Sequence, residues 1–401
     1  MGVLIMLTRE NVKNGDKLSI LGFGCMRFPM KGGAIDEAKS IAMLHDSIEK
    51  GVNYFDTAYF YNNGKSESLL GEALLGGYRE RVKIATKLPP FMVSKLDGAK
   101  KIFATQLSKL QTDYIDYYLL HMLTDKPTFD RMVEIGVIDW LEELKKVGTI
   151  KNIGFSFHGG KADFEQIIVA YPWDFCQIQY NYLDENNQAT KSGLQLAYSL
   201  GIPVIVMEPL RGGKLVNNLP SQVVEAFKSN DSKWTPAEWA LRWIWNHPEV
   251  NVVLSGMSDE VQLGENIKIA EEAEANSLTE KELIVFDTVK AIMMEKTKIP
   301  CTACGYCMPC PSGVNIPGCF SNYNEKYLLG DKRIRFKYMQ TLGLMSKQPA
   351  FASQCTECGK CERHCPQKIE IRKQLKTVKK EMEGVFFKPM VSVARRILKI
   401  K

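Results

Sequence analysis

The 401 residues suffice for one large domain and a smaller one, and 45% apolar with 24% charged residues is ordinary for a globular protein. Ten Lys or Arg against two Glu lie between residues 371 and 401, which more than accounts for the net charge of +6; the near-neutral remainder argues against a nucleic-acid-binding body. No apolar run approaches the ~18 residues of a membrane span, and VLIML (3–7) is too short for the apolar core of a signal peptide, so a cytoplasmic chain with no transmembrane segment is expected.

From residue 20 onward, short β-rich runs alternate with amphipathic segments. ILGFGCM (20–26) precedes IDEAKSIAMLHDSIEKG (35–51), whose closing Gly marks a helix end. NYFDTA, VKIATKL and YIDYYLLH follow as strands, each ahead of a helical segment, and KNIGFSF, FCQIQYN, PVIVMEP and NVVLSG continue the rhythm. Strands joined by helical crossovers are parallel, and eight such units predict an α/β fold of the (β/α)8 TIM-barrel type, with a doubly wound open sheet as the weaker alternative. Trp239, Trp243 and Trp245 read as core, His45 and His247 as packing or surface residues, and Cys25 and Cys176 as buried small hydrophobes.

After about residue 271 the alternation stops. CTACGYCMPCP (301–311) and CTECGKCERHCP (355–366) carry four cysteines each, separated by a stretch that reads as helix without clear strands. The expected organisation is a barrel over 1–290, a small, mainly helical iron–sulfur domain over 291–375 and a basic tail over 376–401.

In a parallel barrel, chemistry collects where strands end. Asp56 comes after the second strand, with Tyr61 five residues on; Lys87 ends the third strand and His121 ends the fourth. A tyrosine hydroxyl titrates near pH ~10, too high for easy proton transfer. A neighbouring buried ammonium lowers that value, so Lys87, held by Asp56, is expected to tune Tyr61 while His121 orients a substrate oxygen. Together these groups suit protonation of a carbonyl oxygen as a hydride reaches its carbon.

GVNYFDTAYFY, KIATK, DYYLLH, FCQIQYN and GMSDEVQLGEN resemble the aldo-keto reductase family over roughly residues 8–270. The resemblance implies a catalytic tetrad of Asp56, Tyr61, Lys87 and His121, and NADPH as hydride donor. It also implies that Ser156 and Gln177 meet the nicotinamide amide and that Asn266 meets the adenine. Two positions depart from the family pattern. Phe157 stands where Asn usually follows the serine, and GMSDEVQLGE holds three acids and no cation for a 2′-phosphate. NADPH and NADH both stay open as donor.

CTECGKCERHCP has the C-x2-C-x2-C-x3-C-P spacing of bacterial ferredoxins, in which three thiolates hold one cluster and the fourth reaches the other. Zinc sites usually take two separated pairs instead. Crossed ligation gives one 4Fe–4S cluster Cys301, Cys304, Cys307 and Cys365, and the other Cys355, Cys358, Cys361 and Cys310. Cys310 is the least secure ligand, because its gap is one residue short, and Cys319 is the alternative; His364 reads as a spacer. The region resembles a ferredoxin-like domain, and the whole chain resembles aldo-keto reductases with such an extension.

Hydride transfer moves an electron pair, whereas a 4Fe–4S cluster passes single electrons, so direct exchange would need a splitting cofactor such as flavin. Three readings follow. The first is an NAD(P)H-dependent carbonyl reductase acting on a small carbonyl or alcohol, with structural or sensing clusters. The second is a ferredoxin-linked reductase using another barrel-bound cofactor. The third is a non-catalytic nucleotide-sensing or electron-relay module. Leu375, Val378 and Met382 lie at helical spacing in the basic tail, which reads first as a packed helix with a solvated end. Docking to an acidic electron carrier such as ferredoxin, or to a membrane surface, is its second reading.

Overall fold

The structure, a computed structural model, describes residues 6–397 except 218, 302–306, 329–332, 345–347 and 366–367. Its contacts divide into two units, Met1–Leu215 with Trp234–Glu280, and Val216–Lys233 with Lys281–Lys401.

Eight strands close the first unit into a barrel: β1 (Leu21–Gly24), β2 (Tyr54–Asp56), β3 (Lys83–Leu88), β4 (Ile115–Leu123), β5 (Ile150–Phe157), β6 (Phe175–Gln179), β7 (Val204–Met207) and β8 (Val250–Ser255). Each pairs in parallel with its neighbours in chain order, and β8 returns to β1, so the open sheet is not formed. A short antiparallel hairpin, Thr8–Glu10 with Lys17–Ser19, precedes the barrel and had no clear sequence signal.

Local chemistry sets the helix starts. Asp36, Thr235 and Asp259 each accept a hydrogen bond from the backbone N–H three residues on, and Pro236 opens its helix with a fixed φ. Inside the barrel, Tyr54, Tyr117, Phe175, Ile205 and Val252 fill one layer. A Cβ on Gly154 would lie 2.5 Å from the Phe175 ring, so the small residue on β5 makes room for the large one on β6. Trp239, Trp243 and Trp245 are buried, as are Cys25 and Cys176.

The second unit has helices Ile316–Leu328, Ile334–Met339, Ile371–Met382 and Phe387–Ile397, and no strand among its described residues. Val314, Phe320, Tyr338, Phe351, Leu375 and Val378 belong to one apolar core, against which six of the cysteines pack. Leu375, Val378 and Met382 point inward from one helix, matching the packed reading of that stretch.

Candidate functional site

The barrel mouth gathers the four strand-end residues. Lys87 is fully buried, and its Nζ donates to Asp56 Oδ1 at 2.6 Å and to the Thr57 carbonyl at 2.7 Å. Tyr61 sits on a tight turn in which Asn62 and Asn63 adopt left-handed backbone angles, and Asn62 Nδ2 donates to the Cys25 carbonyl. That turn brings the Tyr61 ring over Lys87, with Nζ 4.9 Å from its centroid. The His121 ring lies edge-on to Tyr61 at 5.9 Å and stacks on Phe60 at 4.8 Å.

Burial governs the electrostatics. It pulls the Lys87 ammonium down, but attraction to Asp56 and Tyr61 outweighs it and leaves the group above its ordinary value. Burial lifts the Asp56 carboxyl, which Lys87 offsets only in part. The Tyr61 phenol is also pushed up by burial, against the pull of Lys87. This reverses the direction expected from the sequence: the ammonium is close, yet dehydration of the site is the larger effect. Burial, with Lys87 and His158 nearby, drives His121 down to about 2, so its ring is neutral at physiological pH.

Supporting groups escaped the sequence reading. Glu67 is buried and accepts from Thr86 and from Gln106, whose Nε2 also donates to the Lys87 carbonyl at 3.1 Å, clamping β3. Of the two acids in SESLLGEALL, only Glu67 is on the buried face of its helix, and its place among apolar neighbours was the one signal of this role.

Ser156 and Gln177 are register partners on β5 and β6, both buried. Ser156 Oγ accepts from the Met122 N–H at 2.8 Å, which leaves its own O–H to donate, while Gln177 Oε1 is buried without a hydrogen-bond partner. One donor beside one orphaned acceptor matches a carboxamide, so these residues fit a nicotinamide amide. Asn266 is buried too, donating to Ser255 Oγ at 2.9 Å. In the acid-rich segment before it, Glu260 pairs with Lys39 at 2.7 Å, a cation supplied by a distant helix. Met26, Phe60, Phe91, Met92 and Met122 are exposed on the loops that follow β1 to β3 and at the end of β4, giving the mouth an apolar rim.

In the second unit, Cys310, Cys355, Cys358 and Cys361 line one cavity with Ile316, Leu375 and Arg372. Ser312 and Thr356 share a hydrogen bond of 2.8 Å that ties the two cysteine loops together, and the Glu357 N–H points at Cys355 Sγ at 3.4 Å. Four thiols facing one cavity, with a backbone donor on sulfur, fit a 4Fe–4S cluster with crossed ligation. Cys319 is buried elsewhere in the core, against Tyr338 and the Ala350 carbonyl, and does not line this cavity. Of the other four, Cys301, Cys307 and Cys365 are half-buried, and Cys304 lies outside the described residues.

Fold and site together define a barrel oxidoreductase that carries an iron–sulfur domain. Residues 20–283 match the aldo/keto reductase family and residues 300–370 a 4Fe-4S dicluster domain; the chain belongs to the aldo/keto reductase family. It is 28% identical over 299 residues to the uncharacterized oxidoreductase YqkF of Bacillus subtilis (strain 168), covering 66% of this chain and 90% of that protein. Over 291 residues it is 26% identical to L-galactose dehydrogenase of Arabidopsis thaliana, 67% of this chain and 89% of that one. Among solved structures, the holo form of the aldo-keto reductase AKR11C1 from Bacillus halodurans superposes with a TM-score of 0.60 at 27% identity, over 71% of this chain and 96% of that one. No described helix is long and apolar enough to cross a membrane.

Proposed function

We propose that the barrel, taken as residues 1–290, reduces an aldehyde or ketone to the alcohol. A nicotinamide coenzyme, NADPH or NADH, held by Ser156, Gln177 and Asn266, supplies the hydride when bound. Tyr61 gives its phenolic proton to the carbonyl oxygen, and the Lys87 ammonium stabilises the phenolate left behind. Asp56 keeps Lys87 charged and in place. Neutral His121 has one ring N–H to donate, which orients the carbonyl without competing for the proton. The apolar rim favours a carbonyl bearing an aromatic or aliphatic group over a sugar.

The observation that carries this reading is the buried Lys87–Asp56 pair beneath Tyr61. A buried ion pair is a weak device for stability alone, so its placement under a phenol at a barrel mouth favours chemistry. We further propose two 4Fe–4S clusters in residues 291–375, on Cys301, Cys304, Cys307 and Cys365 and on Cys310, Cys355, Cys358 and Cys361, with the basic segment 376–401 following.

The test is NADPH and NADH oxidation by anaerobically purified protein with benzaldehyde, comparing the native chain with Tyr61→Phe. A loss of roughly 10²-fold or more in turnover, with coenzyme binding retained, is expected. Undiminished turnover in Tyr61→Phe sinks the assignment.

A further inference from the structure

The thiol cavity is lined by one formally charged side chain among its described residues, and that charge is held on purpose. Arg372 lies in the first turn of the helix Ile371–Met382, whose next turn contributes Leu375 to the same wall. Glu362, next to Cys361 in sequence, accepts from the Arg372 backbone N–H at 2.8 Å, from Nε at 2.9 Å and pairs with Nη2 at 2.7 Å. Two guanidinium contacts to one carboxylate, with the backbone N–H anchoring the same carboxylate, hold the guanidinium plane rather than leaving it to sweep through solvent.

It packs beside a glycine of the cysteine loop. Gly359 has a φ of +72°, and a Cβ there would meet Arg372 Cζ at 3.5 Å, Nη1 at 3.6 Å and Nε at 3.7 Å. The guanidinium therefore lies in van der Waals reach of the turn between Cys358 and Cys361, where the left-handed backbone at residue 359 favours glycine. Lys376 and Lys373, the next basic residues, are paired with Glu357 and Glu370 and do not line the cavity.

We propose that Arg372 is a positioning charge that raises the reduction potential of the cluster held by Cys310, Cys355, Cys358 and Cys361. A fixed positive charge beside thiolate-bound iron favours the more negative, reduced state, and net charge around the sulfurs is among the determinants of such potentials. Glu362 tempers the effect while holding the guanidinium in place. The second cluster, on the other cysteine set, is an internal reference within the same molecule. The proposal rests on the iron–sulfur reading above.

The experiment is a mediated redox titration of the full anaerobic protein followed by electron paramagnetic resonance, with iron content measured in parallel. In Arg372→Gln one transition is expected to move to lower potential by about tenfold in its equilibrium constant, roughly 59 mV for a one-electron couple, while the other stays put. Glu362→Gln keeps an acceptor for Arg372 but removes the offsetting charge, so the same transition is expected to move upward. Where Arg372→Gln alone loses iron, the double variant Arg372→Gln/Glu362→Gln decides the matter, its transition being expected below that of Glu362→Gln and an equal value overturning the role of Arg372. Equal movement of both transitions, or movement of neither, overturns the role of Arg372 while leaving the clusters intact. Native protein without a 4Fe–4S signal overturns the iron–sulfur reading itself, and the role of Arg372 with it.

Discussion

The ring of Phe60 lies flat on that of His121, with centroids 4.8 Å apart and planes 10° from parallel. His121 Nδ1 is buried without a hydrogen-bond partner, so this stacking is what fixes the direction of the imidazole. An aromatic stack is worth about 1 kcal/mol beyond the area it buries. Phe60→Ala is therefore expected to lower kcat/KM for an aromatic aldehyde by roughly tenfold at unchanged coenzyme affinity, read from steady-state kinetics. Phe60→Tyr should keep the stack and most of the rate.

Lys87→Met leaves Asp56 charged, buried and unpaired. Breaking a buried pair from one side costs about 3–5 kcal/mol. The double variant Lys87→Met/Asp56→Asn removes that orphaned charge and is expected to recover most of the lost stability, while carbonyl reduction stays absent in both. Urea unfolding followed by circular dichroism, beside an activity assay, checks both halves.

His121 is neutral in the folded chain down to about pH 2, against an ordinary value of 6.5. Between those values the unfolded chain binds a proton at this position that the folded chain refuses. Stability contributed here is therefore full above pH 6.5 and declines as pH falls, by up to about 1.4 kcal/mol per pH unit. Unfolding midpoints measured from pH 7 to 5 should fall less steeply in His121→Gln than in the native chain.

Cys310→Ser is expected to cost the iron and sulfide of one cluster, and Cys319→Ser to cost none. Cys319 lies in the apolar core, while Cys310 faces the cavity of Cys355, Cys358 and Cys361. Iron and acid-labile sulfide per chain, after anaerobic reconstitution, distinguish the two.

The acidic stretch ahead of Asn266 is met by Lys39, whose Nζ is 2.7 Å from Glu260. Glu260→Gln frees that ammonium for a 2′-phosphate, so the preference for NADPH over NADH is expected to rise severalfold. The pair is partly exposed, and the gain should fade at high salt. Coenzyme titrations at two ionic strengths test this.

The barrel was legible because each strand carries a short β-branched or aromatic run and each helix a 3.6-residue pattern. Asp56, Lys87 and His121 could be placed at one mouth because parallel strands put their C-terminal ends together. The sign of the Tyr61 shift was not legible, since it depends on how much water the turn at Asn62 and Asn63 excludes. Glu67, Gln106 and Lys39 reach their places through helix packing, which sequence spacing does not encode. The Cys-Pro spacing put Cys310 with Cys355, Cys358 and Cys361 and left Cys319 as the alternative; that Cys310 lines their cavity while Cys319 packs in the apolar core depends on the Ser312–Thr356 contact between the two loops, which spacing does not encode.

That contact has a bearing on how the small unit comes apart. Any group binding both Cys310 and Cys355 closes the whole intervening chain, helices included, into a ring. For a loop of this length, a cross-link removes disorder from the unfolded ensemble worth about 4 kcal/mol. Oxidative loss of the iron would then act as the cutting of a staple. Proteolysis between residues 311 and 354 would report oxygen damage before turnover in the barrel declined.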